Sequence, residues 1–121
     1  MFFLYVLSFI SCKLYSGDGI EVTLENTSSS IIHDVEIGTS ENLATIKDIK
    51  LEPGGKIDSF LSMKENKSDG GYQIKFTRPN GKKENIKAGY YTNGGSLETT
   101  MHIIIKEDTV LVDFRGTGTI F

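Results

Sequence analysis

Gly71-Tyr72-Gln73-Ile74-Lys75-Phe76-Thr77-Arg78-Pro79-Asn80-Gly81-Lys82 is the stretch on which the fold of this chain turns. Tyr72, Ile74 and Phe76 alternate with Gln73, Lys75 and Thr77. A period of two places the apolar side chains on one face of an extended strand and the polar ones on the other. Asn80-Gly81 tolerates the positive φ angles of a tight hairpin. The chain is therefore expected to turn back on itself. Residues 83–91 are then the partner strand, with Ile86, Ala88 and Tyr90 on one face.

The same pattern extends in both directions. Upstream, Ile20, Val22 and Leu24 alternate with Glu21, Thr23 and Glu25, and residues 26–30 make a polar turn. In the next strand His33, Val35 and Ile37 are expected on one face, with Asp34 and Glu36 on the other. Residues 39–44 read as a loop or one short helical turn, followed by a strand over 45–51 and a turn at Pro53-Gly54-Gly55. Residues 56–63 form a strand with Ile57, Leu61 and Met63 on one face and Phe60 on the other. Downstream, Asn93-Gly94-Gly95 turns, Leu97, Met101, Ile103 and Ile105 line a strand, and Val110, Val112 and Phe114 line another after a turn at Glu107-Asp108. Residues 115–121 are a Gly/Thr tail. About eight short strands with turns every ~8–12 residues indicate an all-β fold. The expectation is one antiparallel β-sandwich over residues 20–121, Greek-key or immunoglobulin-like, with little or no helix. The strands are too short and too charged for an outer-membrane barrel.

The 121 residues suffice for one domain. The net charge is -3, with both signs interspersed. No cluster of Lys and Arg is present to follow a phosphate backbone or to form a polybasic membrane patch, so no nucleic-acid partner is expected. The single cysteine, Cys12, excludes an internal disulfide and a thiolate zinc cluster.

Residues 1–10 read Met-Phe-Phe-Leu-Tyr-Val-Leu-Ser-Phe-Ile. A spanning helix needs ~20 apolar residues, so this run is too short to cross a bilayer. It has the length of the apolar centre of a secretory signal, ~7–15 residues. No positive charge precedes it, and the expected start of translation lies upstream. The run ends Phe9-Ile10-Ser11-Cys12, which resembles the lipobox of bacterial lipoproteins, although Phe9 stands where leucine is usual. The resemblance implies cleavage after residue 11, acylation of Cys12, and a domain held at the cell envelope by lipid. Each buried CH₂ of an acyl chain contributes ~0.8 kcal/mol, so two or three chains anchor without a spanning helix. The other readings are a plain signal peptide with an incidental cysteine, giving a secreted protein, and an uncleaved first strand. Residues 12–19 form a short tether of ~23 Å when extended.

Few residues point to chemistry. Tyr90, Tyr91 and Asn93, in the run 89–96, are the expected binding residues: paired tyrosines beside a flexible turn give contact area at small entropy cost. The alternative is that Tyr90 packs in the core and Tyr91 lies on the strand surface. Asp69-Gly70-Gly71-Tyr72 resembles the tyrosine corner of immunoglobulin-like sandwiches, in which a hydroxyl bonds back to the chain; otherwise Tyr72 is an ordinary core residue. His33 and Asp34 are adjacent on a strand and face opposite ways. The sixteen carboxylates are spread evenly, and no metal-ligand spacing, phosphate loop, nucleophile elbow or cofactor site is present. Asn26-Thr27-Ser28 and Asn66-Lys67-Ser68 match the glycosylation acceptor pattern. The expected function is a non-catalytic, lipid-anchored envelope module that binds a protein or glycan. The alternative is a small exported inhibitor, such as an immunity protein against a secreted toxin. An inhibitor would present an apolar or acidic patch, whereas a glycan binder would present an aromatic platform.

Overall fold

A computed structural model describes residues 19–42 and 45–116. The leader, Cys12 and Phe121 lie outside the described residues. Nine strands follow in order: β1 (Gly19–Asn26), β2 (Ile32–Thr39), β3 (Thr45–Leu51), β4 (Lys56–Ser62), β5 (Gly70–Thr77), β6 (Lys83–Thr92), β7 (Gly95–Ser96), β8 (Thr100–Ile105) and β9 (Val110–Arg115). Among the described residues there is no helix; residues 40 and 41 form a turn ahead of β3. The strands make two sheets, of order β4-β1-β8-β9 and β3-β2-β5-β6-β7.

The β5–β6 hairpin forms as the alternation requires. Ile74 pairs with Ile86 and Phe76 with Glu84, and Gly81 sits at the turn with φ 87°. One pairing departs from the antiparallel expectation. β1 lies parallel to β8, with Val22 opposite Met101 and Leu24 opposite Ile103. Side-chain alternation dictates which face is buried, but strand direction is set by the connections, and β7–β8 brings the chain in alongside its own start. Leu97, expected in β8, precedes the strand.

Three irregularities break the alternation; one is in β3, where Asp48 has φ 62° and the register slips between the pairs Val35–Ile49 and Ile37–Ile46. In β2, Asp34 has φ 53° and the register slips between Ile32 and Val35. Ile32 and Val35 are therefore buried and His33 is exposed, which corrects the expectation that His33 shares a face with Val35 and Ile37. A bulge of this kind adds one residue and flips everything beyond it. In β6 the register slips between the pairs Tyr72–Ala88 and Gly70–Tyr91, around Gly89 at φ 69°.

The inner faces of both sheets supply one core. Ile20, Val22, Leu24, Leu61, Met101, Ile103 and Ile105 come from the first sheet, and Ile32, Val35, Ile37, Leu51, Tyr72, Ile74, Phe76 and Tyr91 from the second. The registers also define two ends. Gly19 pairs with Ser62, Tyr72 with Thr39, and Arg115 with Thr100. The chain entry therefore sits at the same end as residues 40–42 and the loops 63–69 and 93–94. The loops 27–31, 52–55, 78–82 and 106–109 lie at the far end.

Candidate functional site

The run 89–96 is the end of β6, the turn into β7 and β7 itself. Gly89 decides which tyrosine goes in. At φ 69° a Cβ on residue 89 would strike the ring of Phe114. The extra residue carries Tyr90 outward and Tyr91 inward. Tyr90 is 54% exposed and Tyr91 is 0% exposed. Tyr91 stacks at a tilt on Tyr72, ring centroids 5.5 Å apart, and its hydroxyl donates to Glu41 Oε1 at 2.8 Å. The expectation of Tyr91 as a binding residue is therefore corrected, because its ring is core and its hydroxyl is engaged. The alternative reading, with Tyr90 in the core and Tyr91 on the surface, is inverted by the same bulge.

Tyr90 and Asn93 are brought together through Asp69. The Tyr90 hydroxyl donates to Asp69 Oδ2 at 3.4 Å, and the Asn93 amide donates to Asp69 Oδ1 at 2.9 Å. Asn93 has φ 50° and Gly94 φ 78°, and the Gly94 amide donates to Ser68 O at 2.8 Å. Glu41 ties the neighbouring loops. It accepts from the Lys67 amide at 3.1 Å, the Ser68 amide at 3.2 Å and the Ser68 hydroxyl at 3.1 Å. Desolvation raises its carboxyl, but the bonds from Lys67, Tyr91 and Ser68 together outweigh that and hold it below the usual carboxylate range. Burial, helped by the bond to Glu41, pushes the Tyr91 phenol up. Glu41 and Asp69 thus act as acceptors that fasten three loops into one tip. Tyr90 is the large aromatic ring that this tip exposes.

Other expected features resolve as structure. The Tyr72 hydroxyl meets Met63 Sδ at 3.7 Å and has no backbone partner among the described residues, the behaviour of an ordinary core tyrosine and not of a tyrosine corner. Asn26 is buried; it donates to Ser30 O and Leu51 O and accepts from Ser28. Asn66 is also buried, so neither glycosylation pattern presents its amide in the folded chain. His33 and His102 lie on different sheets. At the far end Arg78 is buried: Nε reaches Glu84 Oε2 at 2.8 Å, Nη1 reaches Lys106 O and Glu107 O, and the guanidinium lies 5.1 Å from the Phe76 ring centroid. The depression beside it, lined by Ser30, His33, Asp34, Glu52 and Pro79 among others, is open to solvent.

A second surface was hidden from the sequence. On the outer face of the β4-β1-β8-β9 sheet, register sets Phe60 beside Glu21, Asp58 beside Thr23 and then His102, and Ile104 beside Leu111. Phe60 is 41% and Leu111 46% exposed. Between these two apolar corners lie Glu21, Glu25, Asp58 and Asp113, offset in part by Lys56 opposite Glu25 and by Arg115, whose Nε donates to Asp113 Oδ2 at 2.8 Å, so the face is acidic in balance. Thr23 Oγ1 donates to Asp58 Oδ1 at 2.9 Å, and His102 Nε2 lies 3.5 Å from Glu25 Oε1. The outward residues of each strand were readable from alternation. The order in which the strands stand side by side was not.

No family model matches the chain, and no curated protein matches it. Among solved structures, the NMR structure of a protein from Eubacterium rectale is similar, with a TM-score of 0.56 over 88% of this chain and 97% of that one, at 14% identity. The likeness is one of fold.

Proposed function

We propose that this chain is a non-catalytic envelope module, held at a bacterial membrane by lipid on Cys12 and binding a protein or glycan partner through its surface. The observation that carries the reading is the run Phe9-Ile10-Ser11-Cys12 behind an apolar leader of signal length, set a few residues before β1. The domain offers support. Glu41, Asp69 and Arg78, three charged groups of its loop ends, are held in hydrogen bonds that fasten loops. We further read the two sheets as a sandwich of Greek-key character. Both inner faces feed one core, and the chain crosses between sheets at β1–β2, β3–β4, β4–β5 and β7–β8.

The inhibitor reading has its own support. The acidic face with Phe60 and Leu111 at its corners has the composition that a basic, partly apolar protein surface would match. A glycan platform would need several exposed rings, and this tip exposes Tyr90 while Tyr91 is core.

The test is acylation in a bacterial host grown with an alkyne-tagged fatty acid. The wild-type chain is expected to take up the tag and fractionate with membranes. Cys12→Ser is expected to lose the tag and appear in the soluble fraction. An intact mass showing an unmodified Cys12 in membrane-extracted protein overturns the anchor.

A further inference from the structure

We propose that the loop end bearing Tyr90 is the membrane-facing end of the domain, with the Tyr90 ring seated among the lipid headgroups, and that the far end and the acidic outer face point away. The inference rests on the lipid-anchor reading above and deepens it. It begins with where the chain enters. Gly19 pairs with Ser62, the residue ahead of the loop 63–69. That loop supplies Asp69, which binds both the Tyr90 hydroxyl and the Asn93 amide. Entry point and tyrosine tip are thus on one rim.

Length then decides between the ends. From Cys12 to Gly19 the chain reaches ~23 Å when fully extended. β1 likewise spans eight residues, and at ~3.3 Å per step it is also ~23 Å from end to end. To lay the far end against the bilayer, the tether would have to run back fully extended along the whole of β1, with nothing left to pass the loops 27–31 and 52–55 beyond it. The near end has no such conflict.

The chemistry of the near end agrees. A tyrosine with an apolar body and a polar tip suits the boundary between water and hydrocarbon. Lys64 and Lys67 are exposed in the same loop as Asp69. The carboxylates facing Tyr90 and its neighbours are Asp69 and Glu41, both already accepting hydrogen bonds, with Glu65 exposed between the two lysines. The outer face of the first sheet sets Glu21, Glu25, Asp58 and Asp113 against Lys56 and Arg115, a net negative surface that anionic headgroups would repel.

The experiment couples the processed chain, residues 12–121, through Cys12 to a maleimide-headgroup lipid in a nanodisc doped with a gadolinium-chelate lipid. Amide signal loss is then read by NMR. The expected result is that Lys67, Tyr90 and Asn93 lose most of their intensity while Asn80 and Asp108 keep theirs. Equal loss at Asn80 and Asp108 overturns the orientation. So does the strongest loss at Lys83 and Asn85, which would mean the second sheet lies flat on the lipid. Tyr90→Ser removes an exposed side chain and is expected to restore intensity at Asn93; unchanged loss there would refute the seating of the ring. The coupling is chemical, so its outcome is independent of acylation in cells, and a free Cys12 thiol in extracted protein defeats the anchor reading alone.

Discussion

Gly89 is where one residue decides which of two tyrosines is inside. An L-residue there would pay for a positive φ and drive its Cβ into the Phe114 ring. Gly89→Ala is expected to cost about 2–4 kcal/mol, the backbone and overpacking terms together, measured by urea unfolding. Tyr90→Ser, by contrast, should stay within about 0.5 kcal/mol, as exposed substitutions do. A mild effect at Gly89 would mean that the bulge is not what turns Tyr91 inward. This is also where reading by alternation failed. Counting in twos from Ile86 puts Tyr90 in the core, because the rule assumes an uninterrupted strand. A glycine just before paired tyrosines was the available signal. At Asp34 the signal was fainter, an aspartate that tolerates the left-handed region, and His33 was accordingly placed on the wrong face.

Among the elements, the β5–β6 hairpin was the most legible and carries the clearest pH dependence. Its turn brings Arg78 to Glu84, and the Arg78 hydrogen bond holds the Glu84 carboxyl below its ordinary value near 4.5. The Ser29 hydroxyl and amide do the same for Glu107. A carboxyl lowered in the folded state adds stability that is complete above the unfolded value and is lost as pH falls through the folded one. Unfolding midpoints should therefore be level from neutral pH down to about pH 5.5 and decline below it. Glu84→Gln is expected to lower the midpoint at pH 7 and to flatten the decline, as followed by denaturant unfolding across pH. An unaltered acid limb in that variant would show that the pair does not contribute. The hairpin could be foreseen because its signals are local: alternation, Pro79, Asn80-Gly81. β7 could not, since two residues hold no period.

At the scale of the molecule, the sequence showed two-sided strands but not their neighbours. Phe60 and Leu111 are separated by fifty residues of chain and share a face only because β1 and β8 stand between their strands. If that face is a contact surface and not part of the interior, Phe60→Ser with Leu111→Ser should leave stability within about 1 kcal/mol by thermal or urea unfolding. A larger loss would place these side chains in the core. The seam between β1 and β8 has one more consequence, for how the protein is made. β1, the earliest of the described strands to be synthesised, is completed by residues 100–105, some eighty residues later. Sheet closure by so distant a partner is slow. The first sheet thus stays open until β8 has been synthesised, and the β4–β1 pair must wait for it without its inner neighbour.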